Sequence, residues 1–132
     1  MSAQEPKTLE KTHLVTDQDA IHFLGPQVPP ALATPCLINW LELACRENAA
    51  ELLRPGEDTV GVSVSVRHLA PTPVGMKVRV ISRLTAIAGR IYSFAVEAYD
   101  EAEKIAEGTH ERASVPVAKF AARIAAKTQP GA

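Results

Sequence analysis

A chain of 132 residues, 46% hydrophobic and 22% charged, has the size of one compact domain, expected to span 1–132. Its formal net charge of -1 offers no basic footprint for a phosphate backbone, which argues against nucleic-acid binding. The longest mostly apolar stretch, Thr34 to Cys45, is broken by Asn39 and Glu42 and falls short of the roughly 20 residues of a membrane span. The start MSAQEPKTLEK is polar, without the apolar core of an export signal, so a cytoplasmic protein with no membrane partner is expected.

Residues 7–16 alternate as a first strand. Thr16, Asp17 and Asp19 then read as the cap of a brief helix ending at Gly25. The segment PQVPPALA, with Pro26, Pro29 and Pro30, is expected to be irregular. Thr34-Pro35 supplies a capping side chain followed by a proline suited to the first helical turn, and a long helix is predicted from there to about Leu53, before Pro55-Gly56. Leu37, Ile38, Trp40, Leu41, Leu43, Ala44 and Cys45 cover most of its circumference, as in a buried central helix. On such a helix Cys36 and Cys45 sit on opposite faces about 13.5 Å apart in rise and cannot pair with each other.

From Asp58 the period becomes two. Val60, Val62, Val64 and Val66 alternate with Gly61, Ser63, Ser65 and Arg67, which predicts an apolar inner face on the even side. Val78, Val80, Leu84 and Ala86 define the next strand, Ala88-Gly89-Arg90 a tight hairpin, and Tyr92, Phe94, Val96 and Ala98 a third. Asp100 to Glu103 turns into a last long strand, Lys104 to Val117, and 117–127 reads as a short helix. The order of strand, long helix and four antiparallel strands predicts an α+β fold, the hot-dog layout of one long helix wrapped by about five strands.

Several residues stand out chemically. Glu42 falls inside LINWLELAC, where burying a carboxylate costs several kcal/mol unless it is paired or protonated. Its plainer reading is a solvated stripe of Asn39, Glu42 and Arg46 with a Glu42–Arg46 pair. His68 follows the valines in phase and is expected to point inward, as a base or as a hydrogen-bonded core histidine. Thr34 is a helix cap that also stands at a helix start, where N–H groups suit an oxyanion. Gly61 interrupts a run of valines, marking a bulge or a close approach of a ligand to the backbone. His110 and Arg112 alternate inward with Ala106 and Gly108, and an inward arginine needs an anionic partner. The four histidines, His13, His22, His68 and His110, form no ligand-like spacing, no CxxC is present, and neither GxGxxG, GxxxxGK[ST] nor GxSxG occurs. No metal is expected.

Ala33-Thr34, Glu42 eight residues after Thr34, TVG at 59–61, His68 in VRHLAPTPVG, GR at 89–90 and EGTHERA at 107–113 together resemble the fluoroacetyl-CoA thioesterase family of hot-dog proteins, over about 7–127. The resemblance implies hydrolysis of a small acyl-CoA without a cofactor, coenzyme A being part of the substrate. It places the family's catalytic threonine, glutamate and histidine on Thr34, Glu42 and His68, and its site glycine and arginine on Gly61 and Arg112. It also implies a homodimer or dimer of dimers. Where the family closes its site with aromatic side chains, this chain has GPQVPPALA, with Phe23 the nearby aromatic, so Phe23 and Val28 are the expected contacts of a roomier acyl pocket. Eight helical residues separate Thr34 from Glu42 by about 12 Å of rise and roughly 80° of turn, so they cannot touch within one helix. Either the substrate spans them or a second subunit completes the site. Two other readings use the same pocket: a non-catalytic acyl-CoA sensor, and an enoyl-CoA hydratase that works without Thr34.

Overall fold

Antiparallel alternation folds the chain into a five-stranded sheet in the computed structural model, which describes residues 7–129. Its strands are β1 (Lys7–Leu14), β4 (Glu57–His68), β5 (Lys77–Ala88), β6 (Ile91–Tyr99) and β7 (Lys104–Pro116), in the order β1-β5-β6-β7-β4. Two short strands, β2 (Ala20–Ile21) and β3 (Ala31–Leu32), pair with each other, and two helices, α1 (Thr34–Ala50) and α2 (Val117–Thr128), complete the order. With α1 laid against the sheet, the arrangement is α+β, a hot-dog fold. Of the expected span 1–132, residues 1–6 and 130–132 lie outside the described part.

The core forms where one stripe of α1 meets the sheet. Leu37, Trp40, Leu41, Ala44, Cys45 and Ala49 recur at helical spacing and bury against Val78, Val80, Phe94, Val96, Ala98, Ile105 and Ala106. Each large apolar side chain removed from water contributes about 1.5–3 kcal/mol. The helix is not buried all round: Ile38 is half-buried and Leu43 exposed, since the sheet covers α1 from one side only. Within the stripe Asn48 is fully buried, and its side-chain amide donates to Lys7 O and Ser82 O, tying β1 and β5 to the helix. Both cysteines are free thiols.

Four expectations need correction. The brief helix after Thr16 is a single 3-10 turn, Asp17–Asp19, closed by a capping box between Thr16 and Asp19, and the chain then enters β2 instead of continuing to Gly25. The proline-rich segment is irregular only as far as Pro30, because Ala31 and Leu32 pair with Ile21 and Ala20. The valines of β4 form an inner face only in part, Val66 packing against the core. Val62 is 53% and Val64 44% exposed, because β4 is an edge strand whose register slips between Gly61 and Ser63. The second strand of the alternating set also breaks phase, between Leu84 and Ala86, which leaves Ala86 exposed.

Candidate active site

The helix start is built differently from the expected cap. Ala33, in extended backbone, occupies the cap position, Thr34 is the first helical residue, and no side chain caps α1. The Thr34 hydroxyl is thereby free for another partner: Oγ1 lies 2.7 Å from Nδ1 of His68. Local ties enforce the meeting. Leu32 N donates to Thr72 O at 2.8 Å and Ala33 N to Asp19 O at 2.8 Å, while Ala31 bridges Pro73, so β3 is stapled to the segment that leaves β4 at His68.

Burial pushes the His68 pKa down, partly opposed by the Ala70 backbone, so the ring is neutral near pH 7 and can accept a proton. With the Thr34 hydroxyl donating to Nδ1, the ring proton sits on Nε2. That Nε2 is buried and has no hydrogen-bond partner among the described residues. An unmatched buried polar atom costs about 1–3 kcal/mol, which marks it as a place for a further group. Thr34 and His68 border a cleft of about 600 Å³ whose apolar wall includes Phe23, Leu24, Leu32 and Pro71. Phe23 is 80% exposed at its rim. Val28 does not line this cleft; it lies in the outer loop beside Gly25 and Pro26, because the prolines carry the chain away before β3 returns it.

A second cluster forms farther along α1. Glu42 is not buried: its side chain is 36% exposed, and its Oε1 stands 3.8 Å from Nε2 of His110. The expected Glu42–Arg46 pair does not form, since Arg46 reaches Asp58 at 2.6 Å. Gly61 fits close under this carboxylate, for a Cβ there would come 2.9 Å from Glu42 Oε1 and 3.3 Å from His110 Cε1. Arg112 is buried, with Nε donating to Thr59 Oγ1 at 2.7 Å, Nη2 to Thr59 O at 2.7 Å and Nη1 to His110 Nε2 at 3.1 Å. The anionic partner expected for it is missing as a direct contact: no ion pair joins Arg112 to a carboxylate among the described residues, and Glu42 acts on it only through space.

The residues marked in the sequence thus fall into two groups within one protomer. Thr34 meets His68; Glu42, Gly61 and Arg112 gather around His110; the two groups do not join. Sequence reasoning missed His110 and Thr59 as parts of the second group. The inward alternation of His110 with Arg112 is the signal that identifies the first, and the TVG stretch at 59–61 contains the second without assigning its side chain a role.

Chemically, a hydroxyl hydrogen-bonded to a neutral imidazole at the positive end of a helix is an arrangement for acyl transfer. Fold and pair together define the class, a hot-dog protein of the thioesterase superfamily. The family of fluoroacetyl-CoA-specific thioesterases matches residues 15–118, and the chain belongs to that family. It is 38% identical over 105 residues to the fluoroacetyl-CoA thioesterase of Streptantibioticus cattleyicolor, covering 80% of this chain and 76% of that one. A solved structure of the fluoroacetyl-CoA thioesterase FlK superposes with a TM-score of 0.86 at 31% identity, covering 98% of this chain and 100% of the other. A thioesterase-superfamily protein of Thermus thermophilus superposes with a TM-score of 0.83 at 33% identity, covering 92% and 90%. Variants of FlK have been solved with fluoroacetate and CoA and with acetyl-CoA.

Proposed function

We propose that the protein is a single-domain hydrolase, spanning 1–132, that splits short acyl-CoA thioesters into free acid and CoA. The observation that carries this reading is the 2.7 Å contact between Thr34 Oγ1 and His68 Nδ1. Thr34 attacks the thioester carbonyl, or orients the water that does, and its proton passes to Nδ1 of His68. N–H groups of the first turn of α1, which have no acceptor within the helix, stabilise the oxyanion. The tetrahedral species then expels the CoA thiolate, which takes the proton back; where Thr34 is the nucleophile, a water that gives its proton to His68 next hydrolyses the acyl ester on Thr34 and frees the acid and the hydroxyl, and Glu42 assists as a carboxylate. No cofactor enters beyond the CoA of the substrate. Release of thiol from acetyl-CoA by the purified protein is the expected result; no release from any short acyl-CoA overturns the reading and favours a sensor.

The reading includes a homodimer or dimer of dimers. β4 is an exposed edge carrying Val62 and Val64, and long apolar edges of this kind are normally covered by another strand. Antiparallel pairing of two β4 edges runs the His68 end of one strand toward the Gly61 region of the other. In this reading Glu42 of a second copy completes the site at His68. Light scattering is expected to give at least twice the 14.2 kDa chain mass, and a stable, active monomer refutes the pairing.

Selectivity follows from the loop. The cleft wall is formed by Phe23, Leu24, Ala31 and Leu32, without a closing set of aromatic rings, so its acyl end is roomy. Changes of one or two methylene-sized contacts alter discrimination by only about 1–3 kcal/mol. Short branched or aryl-acetyl thioesters are therefore expected to be hydrolysed with kcat/KM equal to or above that for fluoroacetyl-CoA. A substrate panel preferring fluoroacetyl-CoA over acetyl-CoA and all larger acyl-CoAs by more than about three orders of magnitude contradicts this.

A further inference from the structure

The state of His110 follows from its neighbours. Its ring is 1% exposed, Nδ1 lies 2.8 Å from Ser63 O, and Nε2 lies 3.1 Å from Arg112 Nη1. A carbonyl oxygen only accepts, so Nδ1 carries the proton; a guanidinium only donates, so Nε2 presents its lone pair. Both contacts are satisfied together only by the neutral Nδ1–H tautomer. The groups facing the ring are Glu42 from α1, Ser63 from β4, the Phe94 ring from β6 at 6.3 Å and Arg112 from β7, with Glu111, on the other face of β7, acting through its charge. Burial above all, and the Arg112 charge, push its pKa down, against the Ser63 backbone and the two glutamates.

What the ring holds is specific. Ser63 is the residue just past the register slip after Gly61, so the Nδ1–H bond anchors the far side of that bulge. Nε2 fixes the one Arg112 nitrogen that Thr59 does not engage. Glu42 Oε1 waits 3.8 Å from the same Nε2. A second proton on the ring would set donor against donor toward Arg112 and capture Glu42 as an ion pair. We propose that His110 is a positioning residue, a neutral imidazole that ties the Gly61 bulge to Arg112 and keeps Glu42 unpaired beside them. This rests on the thioesterase reading for its effect on turnover, and on geometry alone for its effect on the cluster.

The test combines ring spectroscopy with three variants of the full-length protein. Side-chain 15N spectra are expected to give the neutral Nδ1–H tautomer for His110 from pH 6 to 8; an Nε2–H tautomer or a doubly protonated ring at pH 7 overturns the proposal. His110→Phe keeps ring volume and loses both bonds, and is expected to lower kcat for acetyl-CoA by about 10- to 100-fold with KM changed far less. Asparagine places a donor near the Nδ1 position and glutamine an acceptor near Nε2, so His110→Asn or His110→Gln is expected to recover part of that loss. A folded His110→Phe enzyme with kcat within about threefold of wild type overturns the proposal. Should His110→Phe not fold, wild-type kcat in both amide variants overturns it equally, and reduced kcat in both supports it. A wild-type protein that releases no thiol removes the hydrolysis reading, and the ring spectrum then decides the holding role by itself.

Discussion

Replacing His68 with alanine is expected to lower turnover on a short acyl-CoA by at least about 100-fold while the protein still folds. Among the described residues the imidazole is the proton acceptor in hydrogen-bond contact with the Thr34 hydroxyl, and alanine leaves that hydroxyl without a base. Stability changes little for a physical reason. His68 is only half-buried at the end of β4, so truncating it removes limited packing. The pH profile gives a second reading. Burial holds the folded pKa of His68 below its ordinary value of about 6.5, so the neutral, base-competent ring persists as pH falls through that value and is lost only below it. The acid limb of kcat/KM is therefore expected below about pH 6.5 in the wild type and absent in the residual activity of His68→Ala. If the variant keeps near-normal turnover and instead loses thermal stability, His68 is a core histidine and the assigned roles fail.

Much of this architecture is legible in the sequence because it is local. Helical spacing from Leu37 to Cys45 and the hairpin at Gly89, which sits at φ 61, follow from the residues themselves, whereas α1 ends at Ala50, short of the expected Leu53. The misreadings come from partners distant in sequence. Alternating valines predict an inner face for β4, yet strand order makes it an edge, and no property of VGVSVSV encodes who stands beside it. Thr34 has the ideal local signature of a cap, but a hydroxyl one position inside the helix is released to His68, 34 residues away. Glu42 looks buried among apolar neighbours because periodicity tells which helix face a residue occupies and not how far the sheet reaches around that face. Val28 lies outside the Thr34–His68 cleft because three prolines fix local conformation without fixing where the loop travels.

Gly108→Ala is expected to have the largest effect on the fold itself. Gly108 faces Val66 of β4 on one side and Val96 of β6 on the other, in the interior of the sheet. A Cβ placed there would meet Ser65 O at 2.0 Å and the Val66 Cα at 2.8 Å. Both are backbone atoms, so no side-chain rotation relieves the overlap and β4 has to move away from β7. Overpacking of this kind costs about 3 kcal/mol or more, which in a domain of this size lowers Tm by about 10 °C. The shift also reaches the chemistry, because β4 carries Gly61 and His68 while β7 carries His110 and Arg112. A misplacement of about 1 Å is enough to lower turnover by roughly 100-fold. Gly61→Ala makes the useful contrast. Its nearest obstacle, at 2.9 Å, is the far end of the Glu42 side chain, which can swing aside, so Tm is expected to change by only a few degrees while turnover falls about 10-fold or more as Glu42 leaves its place. Thermal melts and thiol-release rates on the two variants separate the cases. A Gly108→Ala protein with wild-type Tm and turnover would mean that the β4–β7 ladder tolerates a side chain at its tightest crossing, and that the site does not depend on the register argued here.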